Sequence, residues 1–177
     1  LPRAVEARAT FAGGVLDFVD AQGNLASVFL VGTRAWVRLE SPGLNTNPAF
    51  RESVYGVQVS AEQSGDQVDV ILEETGENTG VFMGFILVGR DSPSPYDERL
   101  DTWEDPGPPH RFDVLSARLS ISPTEELTDT ASTLNYRIWF IDAFGQEVAS
   151  YAQGQRVYVR MEDFRSNNPT GYDRNFA

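Results

Sequence analysis

Side-chain oxygens that a hard cation would accept recur in this chain in two sets. Asp20 and Asn24 flank one glycine turn, and Glu40, Asn45, Asn47 and Glu52 surround an Asn-Pro loop. A second set comprises Asp142, Glu162, Asp163, Asn167, Asn168 and Asp173. Calcium takes six to eight oxygens from carboxylates, amides and backbone carbonyls converging from loops, so calcium is the cofactor these residues suggest. A further acidic group, Asp97, Glu98, Asp101, Glu104 and Asp105, lies in a proline-rich stretch. None of these has the spacing of an EF-hand loop. The competing and simpler reading is that the Asx residues cap turns while the acids are solvated.

Catalytic chemistry finds less support. His110, the one histidine, stands beside two prolines, where a turn residue is expected rather than a base. No nucleophile elbow, H-E-x-x-H pair or phosphate loop occurs. Acids are abundant, yet nothing singles out a pair held apart in pKa. The chain is expected to be noncatalytic.

The elements that would position these residues are written twice. Phe18-Val19-Asp20-Ala21-Gln22-Gly23-Asn24 returns 122 positions later as Phe140-Ile141-Asp142-Ala143-Phe144-Gly145-Gln146. At the same offset Gly32, Arg34, Trp36, Val37, Arg38 and Glu40 fall opposite Gly154, Arg156, Tyr158, Val159, Arg160 and Glu162. Each copy reads as a strand, a D-x-x-G turn and a strand with one apolar and one charged face. The two copies are expected to sit in equivalent sheets. Trp36, Arg38, Tyr158 and Arg160 share the charged face, which is unusual for aromatics in open solvent, so this face is expected to be covered by an insert or by a neighbour.

Alternating, β-branched segments continue the pattern at Ser53 to Ala61, Gln67 to Glu73, Val81 to Val88 and Arg111 to Ser122. Leu25 to Val31 and Thr33 to Glu40 read as two more strands, and Thr133 to Ile141 opens the second copy. One helical turn is possible at Pro123 to Asp129; elsewhere no segment has helical periodicity. Residues 91–109 hold five prolines and six acids, the composition of a linker or surface excursion. Residues 1–13 are loosely patterned, as a short strand, a linker or an arm that pairs elsewhere. The domain reading is a repeat over 1–90, a linker over 91–110 and a partial second repeat over 111–177. Because the three strands that follow the first copy have no counterpart after the second, the partial repeat is expected to be completed by the first domain or by a strand from another subunit, with the N-terminal arm the natural donor.

Composition narrows the class. At 177 residues and 41% apolar, the chain can bury a real core. No apolar run approaches the roughly 18 residues of a membrane-spanning helix, so a soluble protein without membrane insertion is expected. A net charge of −12 argues against nucleic acid, whose phosphates demand basic patches. All 14 basic residues are arginine, which excludes lysine crosslinks and Schiff bases. Cysteine is absent, and the start at Leu1 suggests a processed or excised piece.

Glu73-Glu74-Thr75-Gly76-Glu77-Asn78-Thr79-Gly80-Val81-Phe82-Met83-Gly84, preceded by Gly65-Asp66-Gln67-Val68-Asp69-Val70, resembles the Ig-like repeats of large secreted bacterial and archaeal surface proteins, whose pattern runs E-T-G-x-N-T-G-V-F-x-G. The resemblance covers Phe18 to Gly84 and, for its first half, Phe140 to Pro169. It implies an all-β, antiparallel Ig-like β-sandwich with a structural or adhesive role outside the cell, and it brings no catalytic residue. The expectation is a noncatalytic extracellular or cell-surface protein, a filament or array subunit that associates with copies of itself or adjacent repeats by strand addition. The alternative is an adhesin or carbohydrate-binding module; Trp36, Trp139, Phe140, Phe144, Tyr151 and Tyr158 would supply the sugar-stacking surface.

Overall fold

In Arg34-Ala35-Trp36-Val37-Arg38-Leu39-Glu40 every second side chain is apolar, and a strand turns such residues to one face. A computed structural model describes residues 13–89, 99–103, 112–134 and 136–163. In it this segment is strand β3 (Arg34–Glu40), with Ala35, Val37 and Leu39 fully buried and the intervening residues outward. The other strands are β1 (Val15–Val19), β2 (Val28–Leu30), β4 (Ser53–Ala61), β5 (Gln67–Glu74), β6 (Val81–Gly89), β7 (Arg99–Asp101), β8 (Val114–Ser122), β9 (Glu125–Leu134), β10 (Tyr136–Ile141) and β11 (Tyr158–Asp163). One 3₁₀ turn, Pro42–Leu44, follows β3.

Nine strands form one sheet in the order β1-β3-β6-β5-β4-β8-β9-β2, with β7 beside β6. The sheet curls, so that β1 packs across onto β8 and β9 and a single core fills the interior. Leu16, Phe18, Val37, Leu39, Val57, Val59, Leu72, Phe82 and Leu115 are buried there. Each such side chain contributes about 1.5–3 kcal/mol relative to exposure. The expected all-β, sandwich-like, mainly antiparallel fold is the one observed. Two pairings are parallel, β2 with β9 and β6 with β7.

Several segments differ from expectation. Leu25 to Val31 contains a strand only over Val28–Leu30, where β9 is there to pair with it. Glu125 to Asp129 is strand rather than helical turn: the chain reverses at Pro123-Thr124 and Ser122 pairs with Glu125. Arg99–Asp101, inside the proline-rich stretch, is strand. Residues 114–134, assigned from sequence to the second unit, lie in the main sheet, where β8 pairs with β4.

The duplication survives as geometry. In the first copy Val15 pairs with Glu40 and Val19 with Trp36; in the second, Arg137 pairs with Glu162 and Ile141 with Tyr158. Every pair is displaced by the same 122 positions. The turns match as well. Gly23 N donates to Asp20 O at 3.0 Å and Gly145 N to Asp142 O at 3.1 Å, with φ of +84° and +83°, a region open to glycine without a Cβ penalty. Phe18 and Phe29 have ring centroids 5.7 Å apart, and their counterparts Phe140 and Tyr151 are 6.0 Å apart.

The two copies do not sit in equivalent sheets. Hairpin β10–β11 forms a two-stranded sheet of its own. Leu16, Phe18, Ala35, Val37 and Leu39 are no more than 2% exposed, while their counterparts Ile138, Phe140, Val157, Val159 and Met161 are 52 to 58% exposed. The same apolar stripe is core in one copy and surface in the other.

That contrast sets unequal mutational costs. Phe18→Ala is expected to lower unfolding free energy by about 3–5 kcal/mol, and Phe140→Ala by less than about 1 kcal/mol, both read from urea unfolding followed by circular dichroism. Equal losses would mean that the second hairpin shares the core.

Candidate functional site

The turn after β1 is closed by one carboxylate. Asp20 Oδ1 accepts the amides of Gln22 and Asn24, both at 2.9 Å, and its Oδ2 accepts the Asn24 side-chain amide at 3.0 Å. The Asn24 side chain foremost, then the Asn24 amide, with those of Gln22 and Gly23, hold the Asp20 carboxyl below the usual aspartate range against a smaller effect of burial. Asp142 repeats the arrangement, accepting Phe144 N and Gln146 N at 2.9 Å. The oxygens suggested for calcium at these turns therefore already accept bonds from the turns they close.

Glu40, Asn45 and Asn47 lie at the opposite end of the hairpin. Val15 opposes Glu40 whereas Val19, next to Asp20, opposes Trp36, so the two groups stand roughly 15 Å apart at ~3.3 Å per residue. They do not converge on one ion. Glu40 Oε1 lies 3.3 Å from the Arg38 guanidinium, Asn45 Nδ2 donates to Asn78 Oδ1 at 2.9 Å, and Asn47 Oδ1 accepts Ala49 N at 3.2 Å. Glu162 and Asp163 are placed in β11 by backbone register alone. Asn167, Asn168, Asp173 and His110 lie outside the described residues, as do Asp97, Glu98, Glu104 and Asp105. Among the described residues no group of three or more His, Cys, Asp or Glu could hold a metal ion.

The outward face of β3 carries the proposed interface residues. Trp36 is half-buried, its ring centroid 4.8 Å from that of Phe85 on the paired strand β6, and the Arg34 guanidinium lies 4.2 Å over Phe85. Arg38 Nη1 donates to Gly23 O at 2.9 Å and Nη2 to Asp17 Oδ2 at 3.3 Å, across the β1–β3 pairing. In the second copy Trp139 stands where Asp17 does, and Arg160 lies 5.4 Å over its ring. A cation–π pair there replaces an ion pair. Tyr158 is half-buried, and its backbone N–H donates to the Tyr151 hydroxyl at 3.0 Å. That hydroxyl shares its one proton between the carbonyl of Tyr158 at 2.9 Å and that of Ile141, tying together the loop-connected end of the hairpin. Ile71, Phe85 and Leu87 extend an exposed apolar patch beside Trp36.

The acids with the most structural work were not singled out by sequence. Glu74, 1% exposed, accepts Thr79 N at 2.7 Å and Gly80 N at 2.8 Å through Oε1 and Glu52 N at 3.4 Å through Oε2. Burial works to raise its carboxyl; the amides of Gly80 and Thr79, the Thr79 hydroxyl and the Glu52 amide outweigh it and hold the group below the usual glutamate range. With Asn78 at φ +58° and Gly80 at φ +62°, the E-T-G-x-N-T-G stretch is thus a self-locking loop. Asp113, fully buried, accepts Gln63 N, Ser64 N, Trp103 N and Val114 N at 2.8 to 3.1 Å. Asp66 accepts Asp101 N at 2.7 Å, and Asp101 itself pairs with Arg99 at 2.9 Å. Asp129 Oδ2 accepts Phe18 N at 2.8 Å. The available signal was position for three of them: Glu74, Asp66 and Asp113 lie at strand ends where amides go unpaired, whereas Asp129 sits within β9.

Two variants test these clamps. Asp113→Ala strands four part-buried amides and is expected to cost about 3 kcal/mol in urea unfolding. For Glu74, a carboxyl titrating lower in the fold than in the unfolded chain stabilises above the unfolded value of about 4.3 and loses that contribution as pH falls through the lowered folded value. Glu74→Gln should therefore melt lower than the parent at pH 7, with the gap closing in acid; a gap independent of pH would refute the clamp. No protein-family model matches this chain, and no curated protein matches it.

Proposed function

We propose that this chain is a noncatalytic structural protein of the extracellular surface, a β-sandwich subunit that assembles into a filament or array by strand addition. The carrying observation is the second hairpin, which has the register and turn of the first while its apolar stripe stands more than half exposed. An exposed apolar face of this kind marks an interaction surface. A lone two-stranded hairpin is marginal in water and gains from a partner. Supporting the noncatalytic reading, the buried carboxylates at Glu74, Asp66 and Asp113 each accept backbone amides. The acidic surface and the resemblance of the E-T-G-E-N-T-G stretch to secreted surface repeats support the location. Calcium enters this reading as a joint between subunits, where oxygens of two chains would complete what neither end holds alone.

The patch of Trp36, Phe85, Ile71 and Leu87 with Arg34 beside it favours a second reading, a ligand-binding or adhesive module that stacks a sugar or peptide on those rings. Light scattering and negative-stain microscopy of the 177-residue chain across concentration, with calcium and with a chelator, separate the two. Assembly should produce growing, ordered particles, and their loss on chelation would locate calcium at the joint. A discrete monomer at all concentrations would overturn the assembly reading in favour of the binding module.

A further inference from the structure

The first copy shows what its apolar stripe needs. Strand β9 packs against β1: Asp129 of β9 takes Phe18 N–H, and β2 exists as a strand through its parallel pairing with β9, Val28 with Ser132, Phe29 with Thr133 and Leu30 with Leu134. At the repeat spacing β2 corresponds to residues 150–152. The flanking turns agree, since Gln155 N donates to Ala152 O at 3.1 Å as Thr33 N does to Leu30 O. Yet Ser150, Tyr151 and Ala152 are not strand. The second copy is shaped to receive a strand and stands without one among the described residues.

The same spacing identifies the candidate. Residues 3–12, the segment that precedes the first copy, correspond position by position to β9, which precedes the second. In β9 the inward positions are Leu127, Asp129, Ala131 and Thr133, and the residues between them are exposed. Opposite the inward set fall Val5, Ala7, Ala9 and Phe11; opposite Thr128, Thr130 and Ser132 fall Glu6, Arg8 and Thr10. The segment alternates apolar and polar with period two in the frame that β9 uses. Its inward set is wholly apolar, which suits a face offering Ile138, Phe140 and Val159.

Resting on the assembly reading above, we propose that residues 3–12 of a second copy of this chain dock onto hairpin β10–β11 in the place that β9 holds against β1. Thr10, Phe11 and Ala12 lie parallel to Ser150, Tyr151 and Ala152. The arm enters at the groove lined by Phe144, Val148, Ser150, Tyr151 and Gln155, and Phe11 meets Tyr151 as Thr133 meets Phe29 in the first copy. Main-chain pairing supplies affinity and the alternate side chains supply register, the mode of β-augmentation. The contact is head-to-tail, so each subunit offers one arm and one open hairpin, and the assembly propagates or closes into a ring.

Sedimentation velocity of the full chain, of the Ala7→Asp/Ala9→Asp chain and of the Val159→Glu chain tests this, together with fluorescence anisotropy of a labelled peptide of residues 1–13. Charges placed on either apolar face should weaken self-association about tenfold or more. The labelled peptide should bind the Ala7→Asp/Ala9→Asp chain, whose hairpin is intact and unfilled, and a peptide carrying both aspartates should not. The peptide control holds even where Val159→Glu disturbs the hairpin. Self-association that persists unchanged in the double-aspartate chain would overturn the donor assignment and leave assembly standing. A parent that never associates removes both; where such a monomeric parent takes peptide only after the arm is mutated, the arm folds back within its own chain, which overturns docking between copies.

Discussion

A β-hairpin with one apolar face is half of a structure: its outer edges carry unpaired amides and carbonyls and its stripe faces water until another sheet lies across it. The rest of this molecule follows from how that requirement is met for the first hairpin. The sheet curls far enough to bring β8 and β9 against β1, Phe18 is buried against Phe29, and β2 forms only where β9 is there to pair with it. The second hairpin isolates the variable. With near-identical turns and the same register it has no covering strand among the described residues, and its stripe is exposed.

Much of the fold was legible because strand alternation is a local property. Ser53 to Ala61 and Val81 to Val88 announce themselves by β-branched and apolar residues at every second place, and the repeated Phe18 and Phe140 segments carry the hairpin register with them. What stayed hidden was structure borrowed from a distance. Arg99–Asp101 has a sequence that suits a loop; it is strand because β6 pairs with it and Asp66 holds its Asp101 amide. Glu125 to Asp129 is acidic, and the pairing with neighbouring β8 makes it a strand.

The candidate site was legible in part for a related reason. Turn carboxylates such as Asp20 and Asp142 were visible from the D-x-x-G spacing, and the structure confirms them as turn clamps. Sequence could not weigh them against Glu74, Asp113 or Asp129, whose importance comes from burial beside backbone amides, those on Asp129 and most of those on Asp113 contributed by distant segments. Arg38 looked available to a partner because its strand face is polar; its guanidinium is shared between Asp17, Glu40 and the Gly23 carbonyl.

The parallel pairing of β2 with β9 joins residues about a hundred positions apart, and that separation has a kinetic consequence. Contacts between segments so distant close late, because loop entropy must be met before they form. A chain emerging from the ribosome N-terminus first would present β1, β2 and β3 well before β9 exists. For that interval the first hairpin is in the state the second one keeps: formed, aligned and uncovered. Under the assembly proposed above, the order of synthesis would expose each nascent chain to capture of its first hairpin by a finished neighbour, and the speed with which β8 and β9 fold back would become the safeguard against misassembly.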